Sequence, residues 1–312
     1  MAIGRNRQAS RARRGGLERS CRPDLHRRAV TDPAGRDWVR SSGPVDGIEL
    51  LEAWFAGHAY DRHRHDSYAI GVTDEGVQAF NYRGAGRIST AGRAIVLHPD
   101  EDHDGHAGSD GGFGYRMVYV EPARIADAVR AVSGGPKPLP FVADAVSENR
   151  CLAQVVDQAF ADAPEPLARD ALVLQLAEAL LAAAGGDAGS ALPRRLDHRA
   201  VDRARGFLDA ADNRVVRTDE LEAVSGLSRY DLARQFRALL GTSPYRYSLL
   251  RRLDRARRQM QARGQARESL AGIAYAAGFA DQAHFTRQFK SAYGITPARF
   301  RKLSRGSVET FG

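Results

Sequence analysis

Cysteine is nearly absent from this chain: Cys21 and Cys151 are the two among 312 residues. Two thiols so far apart build no disulfide scaffold, and a reducing, cytoplasmic compartment is the natural expectation. Long apolar runs are lacking as well. The best stretch, Ala171 to Ala184, is broken by Gln175 and Glu178 and falls short of the roughly 20 residues that span a bilayer, so no membrane partner is expected. The first forty residues lack the apolar core of a signal peptide. They are Arg-rich with little periodicity, and residues 1–40 read as a basic disordered tail. What remains is 43% hydrophobic, enough for two domains with real cores.

Basic residues are scarce in the middle of the chain and acidic ones at its end. Residues 193–312 hold 24 Lys+Arg against 12 Asp+Glu, residues 41–192 hold 11 against 22, and residues 1–40 hold 11 against 4. An acidic middle joined to a basic end is expected where only the end meets phosphate, which points to double-stranded DNA as a partner. The Arg-dense run from Arg251 to Arg258 reads, for most of its members, as a solvated helix face.

The basic end repeats itself. Gly226-Leu227-Ser228, Leu232, Arg234-Gln235-Phe236, Gly241 and Pro244 return as Gly278-Phe279-Ala280, Phe285, Arg287-Gln288-Phe289, Gly294 and Pro297. The first glycines are 52 apart and the later pairs 53, so the second copy carries one extra residue after its glycine. Each copy has a short helical run, a glycine suited to a left-handed turn and a second helix with apolar residues four apart, which is a helix-turn-helix. Ser228 is placed to cap the second helix, with Asp231 in the position of a capping-box acid.

Helical phase divides the second helix of each copy. Leu232 and Phe236 turn inward while Tyr230, Ala233, Arg234 and Arg237 turn outward; Phe285 and Phe289 turn inward while Ala283, Thr286, Arg287 and Lys290 turn outward. The outward set is the candidate DNA-binding surface. Arg234 and Arg287 hold the same phase in both copies, as suits bidentate readout of guanine, though a phosphate contact is the alternative.

Residues 199–302 resemble the DNA-binding domain of the AraC/XylS transcription regulators. The resemblance rests on Ile273-Ala274, Gly278-Phe279, Asp281, Phe285, Arg287, Phe289-Lys290, Gly294, Thr296-Pro297 and Phe300-Arg301. It implies two helix-turn-helix units joined by a long helix, here matched by Pro244, Tyr247, Arg252-Leu253 and Ala256-Arg257. A helix over 244–261 is about 27 Å long, close to the ~34 Å between successive major grooves on one DNA face. Glu222 stands where the family has a small residue, and it is expected to loosen the first unit.

Upstream, alternating segments such as Gly47–Trp54, Val77–Tyr82, Ala94–His98 and Tyr115–Val120 read as antiparallel strands of a barrel or jelly roll. With Gly57, His63, His65, Gly76, Gly92, Pro99 and His103, this region is similar to the cupin-type effector barrel that many AraC-type proteins carry. Trp54, Tyr60, His63, His65, Tyr68, Tyr82 and His103 are the candidate effector-binding residues, although a bulge can exchange the faces of any strand. His63, His65 and His103 also suit a metal. The glutamate that cupin enzymes add is replaced by Ala69 and Ile70, so no metal, cofactor or catalytic residue is assigned.

The expected fold is thus α+β and multidomain: a cupin-like barrel (41–121), flanking helices (122–184), a linker (185–195) and an all-α double helix-turn-helix domain (196–305). The flanking helices carry apolar stripes at Ile125, Val129 and Val132, at Leu152, Val155, Val156, Ala159 and Phe160, and at Leu167, Ala171, Leu174, Ala177 and Leu181. Packing on the barrel and a homodimer interface are both open for them. The expected function is a cytoplasmic, sequence-specific transcription regulator controlled by a small-molecule effector, with RNA polymerase as a partner if it activates. A constitutive regulator whose barrel only dimerises, and a metal-dependent cupin enzyme fused to a DNA module, are the alternatives.

Overall fold

The computed structural model describes residues 37–135, 137–161, 166–185, 196–211, 214, 216–262 and 268–305. The expected tail up to residue 36 and most of the linker lie outside the described residues. The acidic half contains β1 (Trp38–Ser41), β2 (Ile48–Phe55), β3 (His58–His63), β4 (Tyr68–Tyr82), β5 (Ala85–Thr90), β6 (Ala94–Leu97), β7 (His103–Ala107) and β8 (Phe113–Val120). A short β9 (Val146–Ser147) is added at the edge of β6. One face runs β1-β2-β8-β4-β6-β9, and the other pairs β3 with β7, β7 with β4 and β4 with β5.

Strand β4 belongs to both faces because it bulges. Its register against β8 slips between Thr73 and Glu75. Before the slip, Ala69 faces the barrel interior while Tyr68, Ile70 and Val72 face outward; after it, Phe80 and Tyr82 face the interior. The odd positions are therefore inside at one end of the strand and the even ones at the other, as an inserted residue requires.

Outside the sheet lie α1 (Pro122–Ser133), α2 (Arg150–Ala161) and α3 (Pro166–Ala183). They bury one core with the outward residues of β2, β4, β6 and β8, so packing on the barrel accounts for their apolar faces. The expected stripes need correction at three points. Val132, Ala171 and Leu174 are exposed, and α3 buries Leu172, Val173, Leu176 and Leu180 beside the expected Ala177. Its sequence is apolar around much of the circumference, so periodicity leaves the phase undetermined.

The basic half is helical: α4 (His198–Ala210), α5 (Thr218–Ser225), α6 (Arg229–Leu240), α7 (Pro244–Gln261), α8 (Leu270–Ala276), α9 (Gln282–Tyr293) and α10 (Pro297–Arg305). Gly226 at φ 74° and Gly278 at φ 77° make the two turns. The extra residue of the second copy is Ala280, which separates Phe279 from Asp281, the N-cap of α9, whereas Ser228 caps α6 directly after Leu227. The two units are stabilised alike from the preceding helix. Arg203 of α4 donates to Val224 O at 3.0 Å and Ser225 O at 2.6 Å, and Arg252 of α7 donates to Ala277 O at 3.0 Å and also to Gly278 O. These guanidiniums satisfy carbonyls that a helix end leaves orphaned.

Candidate effector cavity and nucleic-acid interface

The recognition helices α6 and α9 bury Leu232 and Phe236, and Phe285 and Phe289, as their spacing requires. Tyr230, Ala233, Arg234, Arg237, Ala283, Arg287 and Lys290 are exposed, and Thr286 is half-buried. Two of these, however, sit at the seam with the barrel. Lys290 Nζ lies 2.6 Å from Asp61 Oδ2, and Arg237 lies 3.7 Å from Asp100 Oδ2. Both cations are in the last helical turn, which faces the barrel, and helical phase alone does not distinguish the two ends of a helix.

Glu222 also behaves differently from expectation. Its carboxylate accepts from the Arg229 backbone N–H at 2.7 Å and from the Arg229 guanidinium at 3.3 and 3.2 Å. These bonds hold its carboxyl below the usual carboxylate range. The acid ties α5 to the positive N-terminus of α6, so it fastens the first unit rather than loosening it.

Across the seam the barrel touches both units at equivalent positions. A Cβ on Gly241 would lie 2.8 Å from Pro99 Cβ, and one on Gly294 would lie 2.7 Å from His63 Nδ1 and 2.8 Å from Asp61 O. Both are left-handed C-cap glycines of recognition helices. The Asp61 N–H donates to Gly294 O at 2.9 Å, and Arg246 of α7 pairs with Asp100 at 3.0 Å.

Between the two halves lies a cavity of about 110 Å³. Its barrel wall includes Glu49, Tyr60, His63, His65, His103 and Tyr119, and its helical wall includes Leu250, Arg251, Asp254, Arg257, Tyr293 and Phe300. Of the effector candidates, Tyr60, His63, His65 and His103 line it; Trp54, Tyr68 and Tyr82 do not. Trp54 pairs with Trp38 across β1 and β2 in a small separate cluster. Tyr68 precedes the bulge, faces the helices and donates its hydroxyl to Pro140 O at 2.8 Å. Tyr82 follows the bulge and is inside the barrel, where its hydroxyl bonds with His98 Nδ1 at 2.8 Å. Alternation without knowledge of the bulge misplaces such residues.

The three histidines pack together, with ring centroids of His63 and His65 at 4.2 and 4.8 Å from that of His103. Burial lowers the basicity of all three, and neighbouring imidazoles lower His63 and His65 further. Among the described residues no group of three or more His, Cys, Asp or Glu is placed to hold a metal ion. Tyr115 donates to the Tyr60 hydroxyl at 2.9 Å, while burial pushes Tyr60 up to about 12.

Sequence reasoning missed the charged wall. Glu49 is buried and pairs with the equally buried Arg257, which also reaches Asp254 at 3.3 Å. Arg251 bonds Glu121 and lies 3.4 Å from Asp66 and 3.6 Å from Asp254. The Arg251–Arg258 run is therefore no solvated face, since Arg258 alone in it is fully exposed. A signal for Glu49 was available. It alternates with Leu51, Ala53 and Phe55, all inside the barrel, so the strand's parity places a carboxylate in the interior where it needs a cation.

Comparison with known proteins agrees with this division. Residues 47–177 match the model of the AraC-like ligand binding domain, and residues 221–303 match that of a helix-turn-helix domain. The HTH-type transcriptional activator RhaS of Yersinia pestis (strain Pestoides F) is 29% identical over 279 residues, covering 84% of this chain and 94% of that protein. The transcriptional activator RhrA of Rhizobium meliloti (strain 1021) is 35% identical over 127 residues, 40% of each chain. Among solved structures, ToxT from Vibrio cholerae aligns with a TM-score of 0.59 at 12% identity, over 83% of this chain and 99% of that one. ToxT with a bound unsaturated fatty acid aligns with a TM-score of 0.57 at 13% identity, over 88% and 97%. With a matched ligand-binding half, a matched helix-turn-helix half and a shared two-part fold, the chain belongs to the AraC/XylS family of DNA-binding transcription regulators.

Proposed function

We propose that the protein is a sequence-specific transcription regulator whose affinity for DNA is set by a small organic effector held between its two halves. The observation that carries this reading is the composition of the cavity, whose walls come from the barrel and from α7, α9 and α10 together. A molecule bound there touches both halves, so it has different contacts in a docked and an undocked arrangement. That differential affinity is what shifts an equilibrium, typically by about 1–3 kcal/mol. The fatty acid bound to ToxT, which shares the fold, supports a small organic molecule as the kind of ligand.

In this reading Tyr230, Ala233 and Arg234 of α6, and Ala283, Thr286 and Arg287 of α9, meet the DNA, and Arg237 and Lys290 link DNA affinity to the docking of the barrel. Self-association through the outer helices and contact with RNA polymerase belong to the same proposal for an activator, as the relatives named activators suggest. The test is to map DNA bound by the full chain in cells and then measure binding to the recovered fragments by fluorescence anisotropy. Preference for those fragments over scrambled DNA, changed by small molecules that raise the melting temperature, is the expected result. Equal affinity for all fragments, or ligands that stabilise the chain without altering DNA affinity, overturns it.

A further inference from the structure

The polar groups in the cavity narrow the class of effector; the inference rests on the effector reading above. One part of the lining is apolar, formed by Leu51, Phe80, Ile95, Leu97 and Met117. Beside it His65 and His103 present acceptors, next to the guanidiniums of Arg251 and Arg257, whose Nε atoms are buried without a hydrogen-bond partner. His65 Nδ1 is 2.9 Å from Ser67 O, and His103 Nδ1 is 3.0 Å from Glu101 O. A carbonyl oxygen only accepts, so in each ring the proton sits on Nδ1 and Nε2 carries a lone pair. Burial keeps both rings neutral. His65 Nε2 is buried without a hydrogen-bond partner, an arrangement that costs stability until a donor arrives.

The charges point the same way. Glu49, Asp66, Glu121 and Asp254 share Arg251 and Arg257 as their partners on the cavity wall. Arg246 stands nearby, but it is engaged by Asp100 and by Arg64 O at 2.5 Å. Carboxylates thus outnumber guanidiniums, and a ligand carboxylate would add a charge of the majority sign as well as more acceptors. It would also have to displace Glu49 from Arg257.

We propose that the cavity takes a small amine, its ammonium head donating to His65 Nε2 and to the carboxylates around Glu49 and its apolar tail lying among Leu51, Phe80 and Met117. Tyr60 and Tyr119 on the same wall supply ring faces that favour a cation. The ligand class therefore differs from the fatty acid found in ToxT, although the fold is shared.

The experiment compares phenethylamine, phenethyl alcohol, hydrocinnamate and zinc chloride as separate additions to the full chain. Each is followed by thermal melting and isothermal titration. Phenethylamine is expected to bind and to raise the melting temperature, and hydrocinnamate is not. His65→Phe keeps an aromatic ring and removes the Nε2 acceptor together with the Nδ1–H bond to Ser67 O, so it should weaken the amine at least about tenfold in a chain that still melts cooperatively. Glu49→Gln should weaken the amine as well, but it leaves buried Arg257 with Asp254 as its one remaining carboxylate, so His65→Phe carries the test if that variant fails to fold. Binding of hydrocinnamate, of the alcohol alone or of zinc alone overturns the amine assignment and leaves the effector reading standing. Equal amine affinity in wild type and His65→Phe also overturns it. If none of the four binds to the folded chain, the amine assignment falls, and the effector reading is decided by the DNA-binding experiment above.

Discussion

Lys290 Nζ lies 2.6 Å from Asp61 Oδ2, so a cation on the second recognition helix is neutralised by the barrel rather than by phosphate. Arg237 and Asp100 repeat the relationship on the first unit at 3.7 Å. Under the proposed function, docking of the barrel and binding of DNA draw on the same two charges.

Asp61→Asn frees Lys290 for phosphate. In the full chain, affinity for duplex DNA at low salt should rise several-fold, and the slope of log affinity against log salt should steepen by about one. Anisotropy titrations at four salt concentrations measure both. An unchanged slope would mean that Lys290 keeps its barrel partner when DNA binds. The pair is half exposed, so little change in thermal stability is expected.

The C-cap glycines separate conformational strain from contact. Gly226 has φ 74° and ample space, so Gly226→Ala should cost about 1 kcal/mol from the left-handed backbone alone. Gly294 has φ 71° and also abuts His63 and Asp61, so Gly294→Ala should cost more and push the barrel off α9. Urea denaturation ranks the two, and hydrogen exchange of the Asp61 amide, bonded to Gly294 O, reports the seam.

Acid should weaken the fold. His63, His65 and His103 are held neutral by burial, so the unfolded chain takes up their protons first as pH falls below about 6.5. Their contribution is complete above that value and is lost as pH drops. Asp66 works in the opposite sense. Burial raises it to about 6, so its contribution is present below the unfolded carboxylate range and is lost as pH rises through 6. Three imidazoles outweigh one carboxyl, and urea midpoints should fall between pH 7 and pH 5. Asp66→Asn removes the opposing part and should make the fall steeper.

Arg287→Ala and Arg234→Ala should each relax preference at a few bases, at about 1–3 kcal/mol for each lost bidentate contact. Since Glu222 fastens α6 through Arg229, the two effects should be comparable, whereas a loosened first unit would have made Arg287 dominant. Exposed Arg258, changed to Ala, should lower affinity for all sequences alike. Binding-site selection with each variant decides; an Arg287→Ala motif identical to wild type argues against base readout.

The repeat was legible because it is local. Gly226, Phe236, Gly278 and Phe289 lie within one unit each, and helical phase alone places them. Glu222 was misread because its partner Arg229 is a long side chain whose reach no family pattern conveys. The cavity was only half legible. Tyr60, His63 and His103 lie on neighbouring strands and His65 just past the end of one, but Glu49 and Arg257 are 208 residues apart and meet only when two domains dock. Tyr68 fell on the wrong side of one bulge that leaves no mark in composition, whereas Tyr82 is inside the barrel but is taken up by His98 away from the cavity.

That bulge in β4 also constrains how this barrel can change. Gln78 and Phe80 reach the cavity only because one surplus residue near Thr73 reverses the parity of the strand. Deleting a single residue there would turn the cavity-facing side chains outward and bring Val77, Ala79 and Asn81 inward. New ligand preferences are thus open to this lineage by exchanging side chains at fixed positions, while length variation in β4 is closed to it.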